Sequence, residues 1–304
     1  MSLKHITPAL LLLLPLTGIA CSSEATDVSA KPQQLRVLAT FLPMWVFAAN
    51  VADDVPGVEV ELLLAAETGC PHDYSLSPGE LKKIKGADIL IANGVVEPFL
   101  ASIDSNYTHL KILRTIEDVR SPLYDGEDHH DHDHMHDSVP NPHTWVSPTY
   151  AIKHVRTIAN AFKEELPIHK AAFENNADRY ISKLRKSEND VKALSGILTE
   201  RNAITIHNAF VYLFADLGIE VIAVIGQPTT PRKIAGIESL VREDGAVIFS
   251  EPQFPKRIHA MIVSDLNVTP YQLDPVASGE QSMTLYEETM RTNLETIRTA
   301  MVKP

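Results

Sequence analysis

The chain has 304 residues, 44% of them hydrophobic and 22% charged, with only 13 Gly. That is enough apolar material for two ordinary domains, and it excludes a collagen-like, coiled-coil or disordered chain. A formal charge of −12, from 27 basic and 39 acidic residues, argues against nucleic acid as a partner, because phosphate binding needs a basic face. Two numbers stand out beyond these: 13 His and 2 Cys.

Residues 1–20 read as an export signal. Lys4 and His5 form a short polar start, followed by an apolar run from Ala9 to Leu16 that Pro15 interrupts. The run is too short to cross a bilayer, which needs about 20 apolar residues. The stretch Gly18-Ile19-Ala20 then places the small Gly18 and Ala20 before Cys21, the pattern of a lipoprotein whose acylated Cys21 becomes the mature N-terminus. Gly18 departs from the Leu usual at such sites, and cleavage after Ala20 without a lipid is the alternative. Either way the chain is expected outside the cytoplasm, in a periplasm or at a cell surface. Stable anchoring takes more than one acyl chain. Residues 21–34 are polar and form a tether, and with Cys21 lipidated Cys70 has no disulfide partner.

From residue 35 short β-branched runs alternate with helical patterns, the signature of parallel α/β construction. Strands are expected over 35–40, 58–64, 87–92 and 110–113, with helices over 44–52, 78–85 and 96–105 between them. Ser77-Pro78 supplies a cap and a first helical residue for the second helix. The rhythm returns with strands over 203–207, 220–225, 246–250 and 268–273 and helices over 210–217, 232–243, 255–266 and 285–302. The expected architecture is two similar α/β lobes, each a four-stranded mainly parallel sheet with flanking helices: residues 35–165 and 199–304. Between them, Phe173, Ala177, Tyr180, Leu184, Ser187, Val191, Leu194 and Leu198 step by three and four. This single helical stripe over 166–198 predicts a rod of about 45 Å joining the lobes. A rigid spine of this kind permits only small lobe motions.

One segment, 125–137, breaks the pattern. It reads DGEDHHDHDHMHD, with five His (129, 130, 132, 134 and 136), six acids and no Lys or Arg. It cannot form a core and is expected to be a loop. Neutral imidazoles and carboxylates both bind divalent cations, so His129, His130, His132, His134 and His136 are candidates for auxiliary metal capture.

Among the other histidines, His154 and His169 read as surface residues on helices, while His109 and His259 have ordinary structural explanations. His72, His143 and His207 occupy a different kind of place. His72 follows the second strand in the loop Gly69-Cys70-Pro71-His72, His143 lies in Asn141-Pro142-His143-Thr144-Trp145, and His207 ends a strand. Ligands of parallel α/β sheets bind beyond the carboxyl ends of strands. Asp274 ends the last expected strand and is the matching carboxylate; three imidazoles and one carboxylate satisfy tetrahedral zinc.

Five phrases carry a resemblance: PHDYSLSPGELKKIKGADILIANG, NPHTWVSP, HNAFVYLFADLGIEVIAVIG, FSEPQFP and QLDP. In these the chain resembles the zinc/manganese type (cluster A-I) of metal-binding solute-binding proteins of ABC transporters, over nearly its whole mature length. The resemblance implies lobes joined by a long rigid helix, with the metal between them held by His72 and His143 from the first lobe and His207 and Asp274 from the second. It further implies a monomeric receptor that hands Zn2+ to a membrane permease driven by a separate ATPase. Manganese and iron members commonly carry Glu where this chain has His207. Imidazole there, like the His-rich loop, favours zinc. Cys70 is a departure: some zinc members place Glu directly before the first His, where this chain has Pro71. Its thiolate is a possible zinc ligand, alongside or instead of Asp274. Trp145 and Tyr74 read as packing around the site. The competing readings are a manganese or iron receptor of the same fold, and a zinc buffer or adhesin without a transport partner. A secreted zinc hydrolase is disfavoured: no HExxH, nucleophile-elbow or Walker-type motif occurs.

Overall fold

In the computed structural model, residues 34–117, 141–200, 202–226, 230–253 and 266–302 are described, with Met1 and positions 260, 263 and 264. The first sheet is built from β1 (Leu35–Ala39), β2 (Val58–Leu62), β3 (Ile89–Ala92) and β4 (Lys111–Arg114), interleaved with α1 (Leu42–Ala52), α2 (Pro78–Gly86) and α3 (Leu100–Asn106). Its strands run in the order β2-β1-β3-β4, and every pairing is parallel. β3 is the sequence Ile-Leu-Ile-Ala and is buried on both faces, as a central parallel strand covered by helices must be. α2 starts where the sequence directs, with Pro78 in its first turn. Ser77 and Glu80 there form a reciprocal capping box that satisfies two otherwise orphaned N–H groups.

After β4 come α4 (Pro148–Glu165) and, beyond a short 3-10 turn at Pro167–His169, α5 (Lys170–Ser195). The second sheet consists of β5 (Asn202–Thr205), β6 (Glu220–Val224), β7 (Val247–Ser250) and β8 (Tyr271–Gln272), with α6 (Val211–Leu217), α7 (Pro231–Glu243) and α8 (Leu285–Met301). Its order, β6-β5-β7-β8, repeats that of the first sheet, again entirely parallel. Residues 33–304 form one compact unit.

The spine helix is present, and every residue of its expected apolar stripe is buried. Its 26 residues make a rod of about 39 Å, shorter than expected because the turn at Pro167–His169 precedes the α-helix rather than opening it. α5 packs on α1, α4, α6 and α8. One continuous core therefore runs from the first sheet through the spine to the inner face of the second. A separate, smaller core of Ile204, Ile206, Ile225, Ile237, Ala246, Ile248 and Leu266 lies elsewhere in the second lobe.

Three local expectations are corrected. The last strand, expected over 268–273, contains only Tyr271 and Gln272; Asn267 is left-handed at φ 52, and Pro270 has no N–H to give a ladder. The helix expected from residue 96 begins at Leu100, because Pro98 disfavours helical backbone at Glu97. His154, expected at the surface, is fully buried. It falls on the apolar face of α4 with Ala151, Val155 and Ile158, stacked on Phe47, and its Nε2 lies 2.8 Å from Thr144 Oγ1. Most of the helix expected over 255–266 lies outside the described residues, as do Cys21 and the His-rich segment. Among the described residues no helix is long and apolar enough to cross a membrane.

Candidate metal centre

Each of the strand-end histidines is brought to the site by a different local device. His72 sits beyond β2 in a loop turned by Gly69, whose φ of +76 is a left-handed conformation that costs glycine little. The loop closes with Tyr74 N donating to Pro71 O at 3.2 Å, and the Tyr74 hydroxyl donates to Glu80 Oε1 at 2.8 Å. His143 opens a 3-10 turn, His143–Val146. Asn141 Oδ1 accepts from the His143 backbone N–H at 2.9 Å and lies 3.0 Å from its Nδ1. An amide oxygen only accepts, so Nδ1 carries the proton and Nε2 presents its lone pair to the site. His207 stands two residues past β5, its Nδ1 3.4 Å from both carboxylate oxygens of Glu251. The same logic turns His207 Nε2 away from Glu251.

The structure brings these three rings together. Ring centres are 5.0 Å apart for His72 and His143, 4.5 Å for His143 and His207, and 5.3 Å for His72 and His207. The Nε2 atoms of His72 and His143 are 3.0 Å apart. Two nitrogens on one tetrahedral zinc are separated by roughly 3.3 Å, so the pair needs only a slight opening to share an ion. Cys70 joins them: one donor atom each from Cys70, His72 and His143 lie within 4.8 Å of one another.

Asp274 lies outside that close trio. Its Oδ1 accepts from Val276 N at 2.8 Å, and its backbone is clasped by Asn293, which accepts from Asp274 N and donates to Asp274 O. Burial raises its carboxyl to about 6, with the charge of Glu251 acting in the same sense. Glu251 is the residue that sequence reasoning missed. It follows β7 directly, is only 3% exposed, and accepts from Gln253 Nε2 at 2.5 Å. The signal was available: it is a carboxylate at a strand end, the argument applied to Asp274, and it lies within the phrase FSEPQFP. Trp145 and Tyr74 pack as expected. Trp145 is fully buried, edge-on to Phe41 with ring centres 4.9 Å apart, and donates from Nε1 to Pro275 O at 2.8 Å.

Burial dominates the electrostatics of these groups. Burial, then the His207 charge, lowers His72 to about 4; burial and both neighbouring imidazoles take His143 well below its ordinary value. Both rings are therefore neutral donors at pH 7. Burial pushes the Cys70 thiol well up, helped by Glu251 and Asp274. Burial likewise raises Glu251. A divalent ion among these groups would favour the ionised forms of Cys70, Glu251 and Asp274 and the neutral forms of His72 and His143.

The segment bearing His143 ties the two lobes. Asn141 Nδ2 donates to Asn208 O at 2.8 Å, the Tyr212 hydroxyl to Asn141 O at 2.7 Å, and Ser147 Oγ to Asp216 Oδ2 at 2.6 Å. On the other side Asn93 Nδ2 donates to Pro142 O at 3.0 Å.

Known proteins share this architecture. A family profile described as zinc-uptake complex component A, periplasmic, matches residues 37–300. The zinc-binding lipoprotein AdcA of Streptococcus pneumoniae is 28% identical over 313 residues, covering 97% of this chain but 61% of that protein; this chain thus spans about three-fifths of that relative. The high-affinity zinc uptake system protein ZnuA of Bacillus subtilis is 25% identical, covering 93% of each. Among solved structures, the Mn2+ complex of FpvC from Pseudomonas aeruginosa is 27% identical with a TM-score of 0.74, covering 88% of this chain and 98% of that one. The Zn(II)-bound ZnuA-like domain of S. pneumoniae AdcA is 25% identical with a TM-score of 0.73, covering 89% and 100%.

Proposed function

Since the chain belongs to the family of periplasmic zinc-uptake components of the ZnuA type, we propose that it is an extracytoplasmic zinc receptor serving an ABC transporter. It captures Zn2+ between the lobes and passes it to a membrane permease driven by a separate ATPase. In this reading His72, His143 and His207 donate nitrogen, and Asp274 is the second lobe's carboxylate ligand. His129, His130, His132, His134 and His136 gather metal nearby, and lipidated Cys21 tethers a monomeric receptor to the membrane. Lobes 35–165 and 199–304 act as the two walls of the site, with 166–198 as the spine. The protein is a receptor rather than an enzyme.

The observation that carries this reading is the convergence of three imidazoles, two of them with the proton-bearing nitrogen turned to a fixed acceptor. That arrangement supports a borderline-soft ion of tetrahedral habit. The names of AdcA and of B. subtilis ZnuA, both tied to zinc, support it as well. A manganese receptor of the same fold has support in the Mn2+-bound FpvC structure, but imidazole rather than carboxylate at position 207 disfavours the harder, oxygen-preferring ion.

A competitive Zn2+ titration tests the proposal, comparing intact protein with a variant lacking residues 127–137. One tight site retained in both is the expected result; loss of tight binding with the segment would sink the assignment to His72, His143 and His207. Metal content after growth in a mixed-metal medium separates zinc from manganese. A deletion strain that fails to grow under zinc limitation and recovers with excess zinc separates transport from buffering or adhesion.

A further inference from the structure

The donors assigned so far leave one ligand-type side chain of the site without a task. Cys70 is a free thiol, and with the ring nitrogens of His72 and His143 it forms a group of three donors within 4.8 Å of one another. Among the described residues no other group of metal-binding side chains is drawn that close. On tetrahedral zinc a sulfur and a nitrogen stand roughly 3.5 Å apart, so contraction by about an ångström brings the trio to bonding geometry.

The local chain is shaped to hold sulfur there. The left-handed Gly69 turns the backbone immediately before Cys70. A side chain at that glycine would meet Gln253 Cβ at 3.7 Å, so the turn stands against the residue that hydrogen-bonds Glu251. Pro71 stiffens the link between Cys70 and His72, leaving both on one short rigid turn. A second observation concerns the charge of the site as a whole rather than the position of the sulfur. Glu251 is 3% exposed, and its Oε1 accepts no hydrogen bond, although it lies 3.4 Å from His207 Nδ1. A buried carboxylate oxygen in that state is costly unless positive charge sits nearby. Asp274, the carboxylate assigned to the same ion, has Oδ1 engaged by Val276 N, so sulfur would bind alongside it or in its place.

We propose that Cys70 Sγ is a further donor to the bound ion, so that the receptor reads its cargo through sulfur as well as through imidazole. This rests on the reading of His72, His143 and His207 as the metal site. When the ion binds, the S–H proton passes to bulk water and a sulfur–metal bond takes its place. The thiolate selects for thiophilic borderline cations such as Zn2+ and Co2+ and against Mn2+.

The test uses Co2+ as the probe with metal-free protein. The expected spectrum has visible ligand-field bands of a tetrahedral nitrogen-rich site together with near-ultraviolet sulfur-to-cobalt charge-transfer absorption. Cys70→Ser should keep the visible bands, lose the charge-transfer absorption and weaken Zn2+ binding by about ten- to hundredfold, with Mn2+ binding changed less than twofold. Visible bands without charge transfer in the unaltered protein, or charge transfer that survives in Cys70→Ser, would overturn the proposal and leave the imidazole site standing. Absence of both kinds of band would overturn the imidazole site itself, and with it the role of sulfur.

Discussion

Two of the clustered histidines, both from the first half of the chain, are held by opposite means. His143 is 1% exposed and opens a turn clamped on every side: by Asn141 within the segment, by Asn93 from the first lobe, and by Asn208, Tyr212, Pro275 and Asp216 from the second. His72 is half-buried, and its loop is fastened chiefly through Tyr74 to Glu80 of α2 and through backbone contact at Ala66 with Gly279. A receptor must bind tightly and still let go. In the proposed receptor the clamped His143 serves the first need and the less fastened His72 the second, so a shift of the His72 loop would suffice for release.

The largest effect that should separate the two is at the ligands. His143→Ala is expected to weaken Zn2+ binding roughly a thousandfold or more, about 4 kcal/mol, and to exceed His72→Ala; competitive titration of both variants checks it, and equal losses would erase the distinction drawn here. One shell outward, Asn141→Ala and Glu251→Ala each remove the acceptor that orients an imidazole. Each should cost about ten- to hundredfold in affinity, while Tyr74→Phe, which frees only the His72 loop, should mainly speed dissociation in stopped-flow measurements.

Acid should soften the clamped side through His154, which is hydrogen-bonded to Thr144 beside His143. Burial holds His154 down to about 3, against about 6.5 in the unfolded chain. The folded state therefore binds fewer protons. The contribution of His154 to stability is complete above about pH 6.5 and is lost progressively as pH falls toward 3. Between pH 6.5 and 5 the His154 share of the loss is about 2 kcal/mol, added to that of His72 and His143; urea midpoints of the metal-free protein should register the total, and His154→Gln should reduce it by that share. The smallest expected change is Gly69→Ala. Its Cβ has room at 3.7 Å from Gln253, so the cost is the left-handed backbone alone, about 1 kcal/mol, seen as a small drop in thermal midpoint.

The alternation of strands and helices, the spine stripe from Phe173 to Leu198 and the strand-end placement of His72 and His207 were legible because each is written in local periodicity or adjacency. What escaped was decided by neighbours distant in sequence. His154 sits between Lys153 and Val155 and looked exposed, yet its burial is set by Phe47, more than a hundred positions away. Glu251 follows a strand as plainly as Asp274 does, but its contact with His207 spans 44 positions. The close grouping of Cys70 with His143 likewise depends on a turn that the order of residues does not display. The shortened last strand could have been read from Pro270, since a missing N–H is a local fact.

The smaller core behind the second sheet has a consequence for how the molecule comes apart. α7 inserts only Ile237 as a fully buried apolar side chain into a cluster of a few residues, whereas α1, α4, α5 and α8 share the large core. Opening free energies are not uniform when apolar contacts are partitioned this way. The amides of α7 should exchange with deuterium through a sub-global event that leaves the spine amides protected. Limited proteolysis near α7 should then nick the chain while the hydrogen bonds around His143 still hold, so that the nicked protein keeps the clustered histidines together.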